Sequence, residues 1–340
     1  MAFQTGQSTS MIDLFQKLSL FATTGGAGPP GWTENFSDYS TNRRLFLSKS
    51  TLFISWNWDP ATPANVGIYQ ATGFINGTTA PGNHTGDSGQ GIVSNSNATL
   101  ATGRFIPLDD DTNTYWFFEH DTYLHVVVQT STSPITFAHF GMGILNPKFG
   151  DNWTGGEYCY GHKNTASVSA SNNAIQSDAT YLLDGLLSTS NLAFGASLKM
   201  SGIPNQGASI WGISFAGVAD VGAGGDSAGT DRGGSARSRV YGGYRGNGLG
   251  RAVGRIGSSN AEGLVDMYQI NAFAQTTASK LFFLGTMPDV RGINIQYFSG
   301  GDEVVIGGDT WVLFPSRIKG EFNSASTSKY QGIAYKKVTT

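Results

Sequence analysis

Residues 115–140 read YWFFEHDTYLHVVVQTSTSPITFAHF, three runs of aromatic and β-branched residues separated by short polar breaks. Runs of this kind are typical of β-strands. They predict strands over Tyr115–Glu119, Tyr123–Thr130 and Ile135–Phe140. The dipeptide His120-Asp121 between the first two strands indicates a hairpin. We therefore expect antiparallel neighbours at the centre of the protein.

The same pattern extends along the chain in both directions. Clusters of Gly, Asn, Asp and Pro separate further short runs of strand-forming residues. Between two of these runs, Gly307-Gly308 suits a tight hairpin, because glycine adopts a positive φ at little cost. Further strands are predicted over Arg44–Leu47, Leu52–Trp56, Gly67–Thr72, Val265–Phe273, Lys280–Leu284, Ile293–Phe298, Glu303–Ile306 and Thr310–Phe314. The expected fold is mainly β, of the α+β class, with an antiparallel β-sandwich-like core.

One short helix is expected before the strands. Ser10 is a credible N-cap with Asp13 three residues later, and apolar residues then recur at helical spacing. The helix should end near Thr23, because the glycine-rich residues 25–31 cannot continue it. Trp32 is expected to anchor the chain as it enters the next element. The apolar face is formed by Met11, Leu14, Phe15, Leu18 and Phe21.

A long Gly/Arg-rich arm is predicted over residues 222–260. From Arg232 to Asn260 it carries six arginines and no acidic residue. So much glycine is costly in backbone entropy to order, which favours an arm that a partner orders. Docking to protein, stacking on nucleic acid and a solvated loop are the three alternatives for this composition. The predicted interface residues are Arg232, Arg237, Arg239, Tyr241, Tyr244, Arg245, Arg251 and Arg255.

These features divide the chain into four parts. Residues 1–33 form the N-terminal helix and anchor, and residues 34–221 form a β-rich core. The arm follows at 222–260, and residues 261–340 supply C-terminal strands that complete the core. A chain of 340 residues is long enough to bury a core without covalent staples.

The composition restricts the classes of partner. Only 13% of the residues are charged, well below the roughly 25% of an average soluble protein. Such a surface is typical of a subunit covered by neighbours, although a solvated surface rich in Ser, Thr and Asn is the alternative. The net charge of −3 argues against nucleic acid as the main partner. No apolar run is long enough for a membrane span, and the single Cys159 excludes an intrachain disulfide.

No motif predicts a catalytic, cofactor or metal site. Ser88 and Ser227 lie in Gly-Asp-Ser segments without the strand and helix that a nucleophile elbow needs. The Asp109-Asp110-Asp111 triplet is interpreted as solvated rather than as a calcium site. His120, His125 and His139 are interpreted as hairpin or core residues, and Cys159 as a packing residue.

Both ends of the chain carry motifs of one known group. Near the start these are Phe3, Thr5-Gly6, Asp13-Leu14, Leu18, Phe21 and Gly31-Trp32-Thr33. In the central part they are Tyr115-Trp116-Phe117-Phe118, Phe140-Gly141, Asn146-Pro147 and Trp153. Near the end they are residues 285–290, Gly307-Gly308-Asp309-Thr310-Trp311 and Ile333-Ala334-Tyr335. With these motifs the chain resembles a group of tailed-bacteriophage virion structural proteins over roughly the first 160 and the last 60 residues.

The resemblance implies a non-enzymatic structural part of the virion, in the tail or baseplate, that is assembled in the host cytoplasm. Its implied partners are copies of itself and other virion structural proteins, and it carries over no active-site residue or cofactor. A capsid decoration or neck protein is an alternative position. A tail-tip protein that binds a host glycan through Trp56, Trp58 and Trp153 is a second alternative. An enzyme using Glu119 and Asp121 as an acid and base pair is a third.

Overall fold

The computed structural model describes residues 2–25, 31–58, 65–79, 84–85, 106–107, 113–132, 135–150, 153–161, 196–201, 215–216, 267–277, 280–315 and 331–338. Within these ranges the protein is mainly β, with one helix, and each strand pairing is antiparallel. The elements are β1 (Ala2–Ser8), α1 (Met11–Thr24), β2 (Thr33–Asp38), β3 (Arg44–Lys49), β4 (Leu52–Trp58), β5 (Asn65–Ala71), β6 (Ile106–Pro107), β7 (Asn113–His120), β8 (Tyr123–Thr132), β9 (Ile135–Ile144), β10 (Thr154–Gly161), β11 (Ala196–Ser201), β12 (Phe215–Ala216), β13 (Met267–Thr277), β14 (Lys280–Asn294), β15 (Asp302–Ile306), β16 (Asp309–Pro315) and β17 (Gln331–Lys337). The predicted fold class is confirmed.

Three sheets form the described part of the molecule. The central sheet has the order β1-β7-β8-β9-β10-β11, and the C-terminal sheet has the order β12-β13-β14-β17-β16-β15. The third sheet, which we call the helix-side sheet, has the order β2-β3-β4-β5-β6. The predicted hairpin is present, because β7 and β8 pair from Thr114 with Gln129 up to His120 with Tyr123.

The central sheet is buried on both faces, and strand β8 shows how. Tyr123 and Val127 belong to the core cluster shared with the C-terminal sheet. Leu124 and Val126 belong to the cluster shared with α1 and the helix-side sheet. Because successive strand residues point to opposite faces, this near-continuous apolar run fills two cores. The result is a layered, sandwich-like packing.

The helix forms as its capping residues predict. The Ser10 side chain accepts a hydrogen bond from the Asp13 N–H at 3.1 Å, and the Asp13 carboxylate accepts one from the Thr9 N–H at 2.8 Å. An N-cap of this kind contributes about 1 kcal/mol. The helix ends at Gly25, which has φ 69° and donates to the Phe21 carbonyl. Trp32 is buried beside the helix, so its anchoring role is confirmed.

Several strand predictions need correction. The proposed strand Ile293–Phe298 is wrong beyond Asn294, because the Phe298 N–H donates to the Ile295 carbonyl and turns the chain. Lys280–Leu284 and the first residues of that strand belong to the single long strand β14. The residue pattern did not predict strands β1, β2, β6, β10, β11, β12 and β17. The Gly307-Gly308 hairpin is confirmed, with φ values of 62° and 87°.

Candidate functional site

The predicted interface residues of the arm lie outside the residues that the structure describes. These are Arg232, Arg237, Arg239, Tyr241, Tyr244, Arg245, Arg251 and Arg255. Ser88, Ser227 and the Asp109-Asp110-Asp111 triplet also lie outside them. The arm therefore stays a prediction, as do the domain boundaries.

The tryptophans predicted to stack on sugar rings are buried, so that prediction is wrong. Trp56 and Trp58 pack under α1, and the Phe15 ring stacks on Trp58 at a centroid distance of 4.6 Å. The Trp153 Nε1–H donates to the Phe149 carbonyl at 2.6 Å. All three rings belong to core clusters and leave no open face for a sugar.

The predicted acid and base candidates lie at one end of the β7–β8 hairpin, but in different environments. Glu119 is buried, and its carboxylate is 2.7 Å from the Lys49 ammonium. Lys49 also donates to the His120 carbonyl at 3.1 Å. Asp121 is 80% exposed and lies 3.9 Å from Lys49. Lys49 thus fastens β3 to the hairpin, and the two carboxylates do not face a common cavity.

Two of the predicted core histidines form a buried chain of hydrogen bonds with tyrosines. His139 Nε2 lies 2.9 Å from the Pro315 carbonyl, and its Nδ1 lies 3.0 Å from the Tyr335 hydroxyl. The Tyr335 hydroxyl lies 3.2 Å from that of Tyr160, which is 2.9 Å from His125 Nδ1. The chain runs from the central sheet to the C-terminal sheet. We call it the histidine–tyrosine chain.

The Pro315 carbonyl determines which group donates in each hydrogen bond of the histidine–tyrosine chain. A carbonyl can only accept, so His139 Nε2 carries the proton and Nδ1 must accept from Tyr335. The Tyr335 oxygen then accepts from Tyr160, and the Tyr160 oxygen accepts from His125 Nδ1–H. His125 Nε2 is left as an acceptor, and the Tyr158 hydroxyl lies 3.4 Å from it.

Burial keeps the side chains of the histidine–tyrosine chain uncharged. It lowers the pKa of His125 to about 3 and that of His139 to about 4. It also raises the pKa of Tyr158 and Tyr160 well above the usual range. A Cβ at Gly143 would collide with the Tyr158 hydroxyl, so only glycine leaves room there. The chain therefore reads as a neutral structural link between the sheets, as expected for core histidines.

A polar cleft of about 210 Å³ opens where the hairpin end meets strand β14. Its wall is mixed, with polar and charged side chains beside a few apolar ones. The lining residues are His120, Thr122, Asn146, Pro147, Gln269, Thr286, Met287, Pro288, Asp289 and Arg291. We call this site the hairpin cleft.

Asp289 holds a strained position in the cleft. Its φ is 53°, in the left-handed region that non-glycine residues seldom adopt. Its carboxylate accepts a hydrogen bond from the Tyr123 hydroxyl at 3.1 Å. Burial and the Asp289 charge together raise the pKa of Tyr123, which keeps the phenol protonated as the donor. Residues with such backbone angles cluster at functional sites, although aspartate adopts this region more readily than most residues do.

Arg291 supplies the positive charge of the cleft. Its guanidinium lies over the Trp311 ring at 5.3 Å and donates to the Val290 carbonyl at 2.9 Å. Partial burial lowers its pKa, although Asp289 and Asp309 act against that shift. The stacking holds the planar group in place, and a guanidinium keeps several donors in one plane.

Two lining residues carry buried polar atoms without a hydrogen-bond partner. They are Nδ1 of His120 and Oγ1 of Thr122. Such atoms cost free energy until they are paired. Sequence analysis placed His120 in the hairpin but missed Asp289 and Arg291. The available signal was a charged pair inside the strand-like run Met287–Gly292.

An exposed sheet edge is the second surface of interest. Strand β15 ends the C-terminal sheet and, among the described residues, pairs only with β16. Val305 is 71% exposed and Ile306 is 40% exposed.

In the described ranges no group of three or more His, Cys, Asp or Glu side chains is placed to hold a metal ion. With 14 residues, α1 is too short for a bilayer, and no other described helix could span one.

Known protein families and curated proteins give no match to this chain. The resemblance to tailed-bacteriophage virion proteins therefore stays a prediction from its motifs.

Proposed function

We propose that this chain is a non-enzymatic structural component of a bacteriophage virion, in the tail or baseplate, that acts by subunit–subunit assembly. Its partners in this proposal are further copies of itself and other virion structural proteins. The observation that carries the proposal is the exposed edge strand β15.

An unpaired edge strand offers backbone donors and acceptors to another chain. Proteins that stay monomeric protect such edges with charged side chains, lysine above all, with proline or with a covering loop. Strand β15, with the sequence Asp-Glu-Val-Val-Ile, has neither lysine nor proline. Its apolar half carries the exposed side chains of Val305 and Ile306. The two acidic residues occupy the first half of the strand, so its apolar half is the part that offers a surface for pairing.

A second copy of the same strand is the occupant that fits the charges. In an antiparallel pair centred on Val304, Asp302 would face Ile306 and Glu303 would face Val305 of the other copy. No carboxylate would face a carboxylate, and like charges directly opposite are what destabilise strand pairs. The contact would be two-fold symmetric, the commonest arrangement in homo-oligomers.

Two features of the sequence support the assembly role. The low charge content is typical of a surface that neighbours cover. The predicted arm at 222–260 would add a second contact, and several weak contacts in a closed assembly reinforce one another. A five-residue strand pair is small by itself, so we expect weak association of the free protein.

The test is the mass of the purified chain in solution, measured by sedimentation over a wide range of concentration. We expect a monomer–dimer equilibrium that Val305→Lys weakens by about tenfold or more, because an edge lysine resists pairing. Leu20→Lys is the matched control, since Leu20 is 62% exposed and belongs to α1 rather than to an edge strand. A wild-type monomer at every concentration, or equal association of both variants, would contradict pairing through β15.

A further inference from the structure

Three features of the hairpin cleft lie close together at the end of the β7–β8 hairpin. Asp289 pays for its strained backbone position although glycine would be free of that strain there. His120 Nδ1 and Thr122 Oγ1 are left without partners beside it. The guanidinium of Arg291 is held ready by Trp311 rather than neutralised in a close ion pair with Asp289. Together these features indicate a site that is completed by a bound molecule.

The charges in the cleft narrow the chemistry of that molecule. One carboxylate and one guanidinium line the cleft, so their formal charges cancel. A strong anion would meet Asp289, and a cation would meet Arg291. A neutral ligand that both donates and accepts hydrogen bonds avoids either conflict.

The polar side chains of the cleft can both accept hydrogen bonds from hydroxyl groups and donate hydrogen bonds to them. Asp289 accepts hydrogen bonds, Arg291 donates them, and the amides of Gln269 and Asn146 can do both. His120 and Thr122 also line the cleft, but their unpaired Nδ1 and Oγ1 atoms are themselves buried. Vicinal hydroxyls of a sugar donate to the carboxylate and accept from the guanidinium at the same time.

The apolar lining and the volume agree with the same chemistry. Pro147 is exposed and gives the cleft an apolar part, which suits the C–H face of a pyranose ring, whereas Met287 and Pro288 are buried. A volume of about 210 Å³ far exceeds the space of a single water but lies below the roughly 300–1,000 Å³ of drug-sized sites. One saccharide unit is therefore the appropriate size.

We infer that the hairpin cleft binds a single neutral saccharide unit, with Asp289 and Arg291 as the residues that grip its hydroxyls. The inference does not depend on the proposed assembly function, because β15 and the cleft share no residue. It also assigns a glycan-binding role to residues other than the three buried tryptophans.

The experiment uses the full chain and a panel of neutral hexoses and N-acetylhexosamines, observed by saturation-transfer NMR and titration calorimetry. Inorganic phosphate serves as an anionic comparison ligand and free glycine as a zwitterionic one. We expect at least one neutral sugar to bind, and Asp289→Asn and Arg291→Gln each to weaken it by about tenfold or more, since hydrogen bonds to charged groups are the strong ones. Glu303→Gln, a carboxylate on β15 away from the cleft, should leave affinity unchanged.

Three outcomes would overturn the inference. They are no signal from any sugar of the panel, sugar binding that survives both cleft variants, and binding of phosphate or glycine in place of sugars. Circular dichroism of each variant shows that the fold is retained. Sedimentation of the same samples separates the two proposals, because Asp289→Asn should not alter self-association and Val305→Lys should not alter sugar binding.

Discussion

The histidine–tyrosine chain and the hairpin cleft lie side by side between the same two sheets, yet they treat polar atoms in opposite ways. Tyr123 stands between them, with its ring stacked on His125 at 4.6 Å and on His120 at 5.4 Å. On the His125 side, each ring nitrogen and hydroxyl of the chain has a partner. On the His120 side, two buried polar atoms have none. A closed network fixes the packing of the sheets, whereas the hairpin end keeps two buried polar atoms that no hydrogen bond stabilises.

The largest expected effect is the loss of stability in mild acid, which the closed network should cause. Burial lowers the pKa of His125 to about 3 and of His139 to about 4, against about 6.5 in the unfolded chain. The unfolded state therefore binds protons below pH 6.5 that the folded state refuses, so stability is full above that pH and falls below it. Between pH 6.5 and 5.0 we expect a loss of about 3 kcal/mol for the two histidines together.

Urea unfolding at a series of pH values measures this loss. The range from pH 6.5 to 5.0 lies above the ordinary pKa of carboxyl groups, so histidines cause most of the change in stability within it. His139→Gln keeps an amide N–H for the Pro315 carbonyl and should remove about half of the pH dependence. Constant stability across the window would show that the histidines are not neutral in the fold.

The second-largest effect on stability is expected from interrupting the histidine–tyrosine chain at Tyr335. Tyr335→Phe removes the hydroxyl that donates to His139 Nδ1 and accepts from Tyr160. Two buried groups lose a partner, so we expect destabilisation of about 2 kcal/mol in the same urea assay. Tyr297→Phe is the control, because Tyr297 is 65% exposed and its hydroxyl can bind water. Equal stability of the two variants would mean that the chain contributes no net stability.

The smallest effect on stability is expected in the cleft. Asp289→Asn keeps an oxygen that can accept from Tyr123, and asparagine also tolerates a positive φ. We expect a change of less than about 1 kcal/mol in the free energy of unfolding, together with the loss of sugar binding. A destabilisation as large as that of Tyr335→Phe would place Asp289 with the structural residues and remove the contrast between the two regions.

The sequence could predict those features that depend on residues close to one another along the chain. The helix was predictable because Ser10, Asp13 and Gly25 act within a few residues of one another. The β7–β8 hairpin was predictable for the same reason. Strand β1 was missed because its polar sequence gains its structure from pairing with β7, more than 100 residues away. Local patterns do not reveal such a partner.

The histidine–tyrosine chain and the hairpin cleft also differ in how much of them the sequence predicts. Sequence alone favoured core histidines, since a buried and satisfied histidine is the commoner case, and the structure adds their partners on β10 and β17. The cleft joins residues from the hairpin end, the segment after β9, β13 and β14, which come together only in the fold. The tryptophan prediction failed likewise, because the helix that covers Trp56 and Trp58 lies far from them in sequence.

The central claim is that the chain is a structural part of a virion, and its position in particles tests that claim most directly. The measurement is electron microscopy of the purified phage particles to which the chain is proposed to belong, labelled with an antibody against the chain. The account predicts label at the tail end of the particle, and label on the capsid would move the protein to a decoration role. Absence of label from intact particles that contain all other structural proteins would contradict the account.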